Sequence, residues 1–494
     1  EGNGTPLASV TTDIDNDARN VTTPDIGADE GTFIELIAND VQATSFIDPI
    51  NGGSKPTGVA FTPMASFTNN GTNTQTNIPM RYSVLNASMV EIYNETRTIA
   101  SLVSGASFTH TFPSITLATV GTYTIFAKAE LVGDELTSND EITGTLIGDL
   151  PLCGTYAVGS SQPVGFQNLT QAFSKINALG VSCAVVFELQ SDYTSVGETL
   201  PLTLTNIPGI SAINTFTLKP ATGVNSTITG SINSNVIIKV LSDYVIIDGS
   251  NNNTTSRNLN LINTASTGPS VVLIGSIGTS PRINVTLKNC NVTNGLNTST
   301  AVAVTDATVL GNDGYFNNIT VQNNLIKNAY IGIYSRAFVS AGNGSGLNIN
   351  NNDLSSSGSD AIRFTGIYLQ GIDGGSVANN LIGNFNTASD EDDNGIFLAT
   401  GVKNISVLSN KISNLGYTGI NGYGAHGILV SSGVLAANIL VANNMISNMY
   451  GDGWSYTAVA ADNPIGIALT STQDGISIYH NSINLSGNTL NQSG

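Results

Sequence analysis

"VANNLIGN", residues 377–384, is the stretch on which the fold turns. A β-branched apolar residue opens it, asparagine stands three places on, and an apolar residue follows two places later. The frame recurs as "VQNNLIKN" (321–328), "INNNDLSS" (349–356), "VLSNKISN" (407–414), "VANNMISN" (441–448) and "IYHNSINL" (478–485). Its asparagines, Asn324, Asn352, Asn380, Asn410, Asn444 and Asn481, are separated by 28, 28, 30, 34 and 37 residues. "LKNCNVTN" (287–294) fits the frame with Cys290 in the asparagine's place. A second series runs in step: "IGIYS" (331–335), "TGIYL" (365–369), "NGIFL" (394–398), "HGILV" (426–430) and "IGIAL" (465–469).

Two strand motifs that return together at this interval describe a solenoid with one coil per repeat. Strands so short cannot bury an apolar side alone, so the coils must stack. Stacking sets Val321, Ile349, Val377, Val407, Val441 and Ile478 in one interior file. The asparagines form a second file at a bend, where each amide donates to the next coil's amide oxygen and satisfies turn backbone. The expected fold of this part is a right-handed parallel β-helix of about ten coils.

Working back from the coils, "DLPLCGTYAVG" (149–159) opens the region, and "NLTQAFSKINALG" (168–180) carries helical apolar spacing with a glycine stop. A short amphipathic helix here suits a cap on the first coil, whose interior and backbone would otherwise lie open. Cys153 and Cys183 begin strand-like runs on either side of that helix. Strands placed so can lie within the roughly 4.4–6.8 Å Cα reach of a disulfide; the alternative is two buried thiols, and Cys290 is simply packed. From residue 33 to 148 the period changes to two, in "FIELIAND", "GVAFTPMASF", "IPMRYSVL", "MVEIYNETRTIASL", "SFTHTF", "GTYTIFAKAEL" and "EITGTLIG". Short alternating strands at this density predict an Ig-like β-sandwich, without the Cys…Trp…Cys signature of antibody domains. The whole chain is therefore expected to be all-β.

Composition sets outer limits. The 494 residues hold 35 Asp and Glu against 16 Lys and Arg, a formal net charge of −19, although only 10% of residues are charged. The length exceeds one ordinary core, so two or more domains are expected. This acidity repels phosphate backbones and anionic lipid, which argues against nucleic-acid binding and membrane-surface roles. No apolar run approaches the roughly 20 residues that cross a bilayer, so no membrane insertion is expected. Asn, Thr, Ser and Gly supply the polar surface, as in secreted β-rich proteins. Glu1 starts in polar sequence without a signal peptide, so the chain reads as mature, trimmed or a slice of something larger.

The run "FTNNGTNTQTNIPMRYSV…GTYTIFAKAEL…GDELTSND" resembles CARDB-like adhesion modules of bacterial surface proteins, over all of residues 33–148. The region from "CGTYAVG" through "LSDYVIIDGSNNNTT" to the Asn-rich coils resembles β-helix domains of large Bacteroidetes surface proteins. In that family the β-helix closes with a segment similar to "TTDIDNDARNVTTPDIGADE", which here stands at the front, residues 11–30. The resemblance implies three parts. Residues 1–32 would close a preceding or neighbouring β-helix, residues 33–148 would be the sandwich, and residues 149–494 would be a β-helix uncapped at its C-terminal end. Units would then join head to tail, as a tandem array or by docking in the manner of donor-strand addition. The function so implied is that of a secreted, self-assembling repeat of a cell-surface filament or giant adhesin. Its partners would be copies of itself, adjacent repeats, glycans or other cell surfaces.

Parallel β-helices also host polysaccharide lyases and glycoside hydrolases, the alternative function. A hydrolase needs two carboxylates about 5–9 Å apart, and a lyase needs carboxylates holding calcium and a basic residue to abstract a proton. "GAHGI" (424–428) resembles the Gly-His-Gly of polygalacturonases, but the companion motifs are missing and His426 fits the repeat as an ordinary coil position. Lys327, Arg336, Arg363, Lys403 and Lys411 stand beside no acidic cluster in sequence, although loops could bring them together. No catalytic residue is assigned on this reading, and the chain is expected not to be an enzyme. A β-helix face bringing three carboxylates together with Lys, Arg or His would speak for the enzyme instead. No cofactor is required, though calcium suits two acidic stretches by its demand for oxygen ligands. These are Asp13, Asp15 and Asp17, at alternate positions, and Asp390, Glu391, Asp392 and Asp393 in "SDEDDNG". Their alternatives are Asp13 or Asp25 pairing with Arg19, and a solvated loop.

Overall fold

The computed structural model describes residues 2–30, 37–308, 310–452 and 463–485. Among the described residues the structure is all-β apart from one α-helix and one 3-10 turn, and the chain divides into two units, residues 1–150 and 151–494.

In the first unit, Val41–Asp48, Met64–Asn69 and Ser107–Thr111 form a three-stranded sheet. Gly53–Pro56, Glu141–Asp149, Gly121–Ala129, Gln75–Leu85 and Glu91–Leu102 form a five-stranded one in that order. All pairings are antiparallel except that of Glu141–Asp149 with Gly53–Pro56. Alternation along Gln75–Leu85 buries Ile78, Met80, Tyr82 and Val84, and the Tyr82 ring meets Phe46 and Phe112 at 5.9 and 5.4 Å between centroids. The run "FIELIAND" differs from its expected strand. Residues 33–36 lie outside the described residues, and Ile37–Asp40 pair with no strand, because the carbonyls of Ile37, Ala38 and Asp40 accept from the loop amides of Asn70, Gly71, Thr72 and Asn73. Strand pairing starts at Val41. Residues 2–30 form a small hydrogen-bonded turn of their own, with bonds such as Ile14 N–H to the Ala28 carbonyl at 2.9 Å.

The second unit is a parallel β-solenoid of three sheets. The first sheet has 11 strands, from Leu152–Val158 to Ile476–Tyr479. The second has nine, from Leu202–Leu204 to Pro464–Leu469, and the third nine, from Ser226–Gly230 to Ser482–Asn484. Two nine-stranded sheets make about nine turns, one fewer than expected. Interior registration runs Leu287, Val321, Ile349, Val377, Val407 and Val441 down the first sheet, while Ile478 keeps the register but lies 40% exposed, outside the interior file expected for it. Between the first and third sheets lies the bend. Asn323, Asn351, Asn379, Ser409, Asn443 and His480 occupy it with φ of 51°, 58°, 58°, 57°, 59° and 53°. Asparagine tolerates this left-handed conformation better than most residues, which accounts for the doubled asparagines of the frame. The next residue of each bend is the ladder asparagine. Asn380 donates through Nδ2 to the Ile349 carbonyl and to Asn410 Oδ1, both at 2.9 Å, and its Oδ1 accepts from the backbone and side chain of Asn352. The same bonds repeat from Asn324 to Asn481.

Helix Leu169–Leu179 is capped by Asn168, whose side chain accepts from Gln171 N–H, and buries Leu169, Ala172, Phe173, Ile176 and Leu179. Phe173 packs edge-on to Phe216 at 6.1 Å, in the core of the early coils. Cys153 and Cys183 form a disulfide across the paired strands Leu152–Val158 and Val181–Leu189, with Cα atoms 4.9 Å apart. Cys290 is buried and free, and its backbone N–H donates to Asn324 Oδ1 at 2.9 Å.

Candidate functional site

The Gly-Ile series forms the strands of the second sheet. In Asp393–Leu398, Ile396 and Leu398 face the core, and Phe397 faces outward. Parallel registration stacks Tyr334, Tyr368, Phe397, Leu429 and Ala468 in one outward file, and sets Thr365, Asn394, His426 and Ile465 in a second file, the first three of them buried. Tyr334 and Tyr368 stack at 5.0 Å, whereas Phe397 turns edge-on to Tyr368 at an interplanar angle of 81°. Beyond that turn the face hollows into a cavity of about 660 Å³. Phe364, Phe397, Leu429, Ile465, Ile467 and Leu469 give it apolar walls, and Glu391, Asp392, Asn394 and His426 give it polar ones.

Each polar group is held by a neighbouring coil. Arg363 clamps Glu391 through two hydrogen bonds, 2.7 and 3.2 Å, and lies over the Tyr330 ring at 5.3 Å. Tyr330 in turn stacks on Phe364 at 4.6 Å. Burial, and next the Glu391 charge, push the Tyr330 hydroxyl up to about 12. Asp392 Oδ1 accepts from Gly424 N–H at 2.9 Å, and Asp390 accepts from the Tyr417 hydroxyl at 2.7 Å and from Asn421. Glu391 and Asp392 thus stand in the cavity's wall, and Asp390, Glu391 and Asp392 are bonded across coils.

Asn394 Nδ2 donates to the Asp392 carbonyl at 2.7 Å, which leaves its Oδ1 facing His426 Nδ1 at 3.1 Å. Nδ1 therefore carries the ring proton and Nε2 the lone pair. Burial pulls His426 down to about 4, so the imidazole is neutral at pH 7. Asp393 is buried with neither carboxyl oxygen hydrogen-bonded. Desolvation, then the charges of Glu391 and Asp392, raise it well above the ordinary carboxylate range.

A folded pKa below the unfolded value near 6.5 means that the unfolded chain takes up the proton first as pH falls. The His426 contribution is thus complete above about pH 6.5 and lost toward pH 4, an expected destabilisation of about 2 kcal/mol. Denaturant titrations at pH 7 and 4.5 should show that slope, and His426→Gln should remove it; an unchanged slope refutes the assignment.

Sequence reasoning placed His426 at an ordinary coil position, and registration with Asn394 and Ile465 sets it there, but the cavity beside it went unread. Arg363 and Glu391 are both named from sequence but not as a pair, and Asn394, Phe364 and Phe397 are not singled out, although the outward residue after each Gly-Ile (Tyr, Tyr, Phe, Leu, Ala) was a usable signal. The other cations named from sequence find carboxylates one loop away: Lys327 with Asp360 at 3.0 Å, Lys403 with Asp373 at 3.3 Å, and Arg336 with Asp313. Lys411 lies exposed on the third sheet. Asp13 accepts from the backbone of Asp15, Asp17 and Glu30, while Asp15 and Asp17 are exposed. Arg19 pairs with Glu30 at 3.4 Å and donates to the carbonyls of Asp25 and Gly27, since Asp13 is already engaged by the backbone. Among the described residues, no three His, Cys, Asp or Glu side chains converge to hold a metal ion, and no helix is long and apolar enough to cross a membrane.

No protein-family model and no curated protein matches the chain. Among solved structures, a CARDB domain from Pyrococcus furiosus, in complex with di-metal ions, is similar at 15% identity and a TM-score of 0.18, covering 24% of this chain and 95% of that one. Its solution structure is similar at 17% identity and 0.18, covering 24% and 99%. An alginate lyase from a Paenibacillus species is similar at 12% identity and 0.33, covering 68% of this chain and 99% of that one. The expectation that the chain is not an enzyme is corrected here. A solved structure similar over 68% of it is that of an enzyme, the alginate lyase. Likeness this distant carries neither its substrate nor its reaction across.

Proposed function

We propose that the second unit acts on a polysaccharide, laying the chain across the outward face of the second sheet and hydrolysing it at the cavity. The observation that carries this reading is the cavity itself, where an apolar floor with Phe397 meets Glu391, Asp392, Asn394 and a neutral His426. Sugars present apolar ring faces and polar edges, and such a lining answers both. His426, fixed by Asn394, takes a proton from the water whose oxygen bonds to the anomeric carbon as the glycosidic C–O bond breaks, and returns that proton to the departing oxygen. Glu391 and Asp392 supply negative charge where an oxocarbenium-like transition state develops positive charge.

On this reading the first unit is an Ig-like, CARDB-like accessory sandwich, and helix Leu169–Leu179 caps the first coil. The disulfide favours an oxidising, extracellular setting. Incubating the full chain with neutral and charged polysaccharides should release new reducing ends. His426→Ala should slow that release at least about tenfold with the thermal midpoint kept. Absence of both turnover and binding across the panel would end the proposal.

A second reading concerns assembly. Residues 2–30 leave Leu7, Val10, Ile14, Val21 and Ile26 exposed, between 48% and 86%. Apolar residues so gathered favour docking on another copy, as the head-to-tail surface repeat requires. This is compatible with the enzyme reading, since an array can carry active units.

A further inference from the structure

We infer that the glycan taken by this cavity carries free amino groups and meets Asp392 and Glu391 through an ammonium. The inference rests on the polysaccharide reading and narrows it to a substrate class. The polar lining holds two carboxylates, while no lysine or arginine lines the cavity among the described residues. Arg363, the nearest cation to that wall, is spent in its double bond to Glu391 and its stacking on Tyr330. His426 adds no positive charge, because its Nδ1–H is given to Asn394 and the ring is buried and neutral. A uronate would bring a third carboxylate into an apolar-walled hollow that already holds two, at a cost that low polarity increases. An ammonium gains instead, from the carboxylates by charge-assisted hydrogen bonds and from Phe364 and Phe397 by lying over a ring. The acidity of the whole chain, −19, steers in the same direction by drawing cationic polymers and repelling anionic ones.

The test is calorimetric titration of the full chain with three oligosaccharides of equal length: β-1,4-linked glucosamine, its N-acetylated form, and a uronate. The glucosamine oligomer should bind about tenfold more tightly than the N-acetylated one at a pH where the amine is protonated, and the preference should vanish where it is not. Raising the salt should shrink the preference in the unaltered protein, and Asp392→Asn should abolish it. Equal affinity for glucosamine and N-acetylglucosamine oligomers, or tighter binding of the uronate, overturns this inference while leaving the polysaccharide reading standing. Failure of all three to bind counts against both.

Discussion

Asn380→Leu is expected to destabilise the β-helix by about 4 kcal/mol, measured by denaturant unfolding of the full chain. Leucine matches the volume but makes none of the bonds. The Asn352 N–H loses its partner at a site about 1% exposed, and the Ile349 carbonyl and the Asn352 amide each lose one of their bonds. Each buried group left without a partner costs about 1–3 kcal/mol. Asn481→Leu, in the last coil, should cost less, since Asn481 is only half-buried and water can replace its bonds. The Asn380→Asp variant separates shape from hydrogen bonding. Its side chain would accept from Asn352 as before, but as a carboxylate it would face the Ile349 carbonyl and Asn410 Oδ1 with no proton to give. The folded pKa of that new carboxyl would be raised, so the variant's stability would be greatest below the unfolded value near 3.9 and fall as pH rises. A loss under about 1 kcal/mol for Asn380→Leu would mean that the amide ladder follows the coil rather than holding it.

The ladder also explains how much could be read from sequence. A bend needing one left-handed residue and one amide leaves a fixed two-letter trace, as at Asn379 and Asn380, whatever the loops do. Coil length varies because the loops on both sides of the second sheet vary, and the trace survives that drift. The cavity leaves no such trace. His426 and Asn394 stand 32 residues apart, and Arg363 and Glu391 stand 28 apart, each pair joined only by the stacking of one coil on the next. The acidic run misled for the same reason. Four consecutive acids read as one cluster, but Asp390, Glu391 and Asp392 reach Tyr417, Arg363 and Gly424, and Asp393 turns into the interior. "FIELIAND" misled by its alternation, which loop amides rather than a partner strand satisfy from Ile37 onward.

The glycine of the Gly-Ile series has its own reason, and it sets the second large expectation. A Cβ at Gly395 would stand 2.5 Å from the Gly427 carbonyl of the next coil and 2.7 Å from Ile412 Cγ2 in the interior. Gly366 and Gly427 meet the same pair of obstacles, Gly395 and Gly466 carbonyls at 2.7 and 2.6 Å, with Ile382 and Ile446 inside. The constraint is steric, and backbone is the harder obstacle. Gly395→Ala is expected to cost about 3 kcal/mol and Gly395→Val above about 4 kcal/mol, read by the same unfolding experiment. Ile412→Ala in the Gly395→Ala background tells the two obstacles apart. It frees the side-chain clash but not the carbonyl, so the interaction energy of that double-mutant cycle should recover only part of the loss. Because the Gly427 carbonyl follows His426 directly, pushing it away should also disturb the imidazole. Gly395→Ala should therefore alter the His426 titration seen by NMR even where the chain remains folded. Full recovery by Ile412→Ala would show that coil spacing yields to a methyl group, and that the glycine file serves interior packing alone.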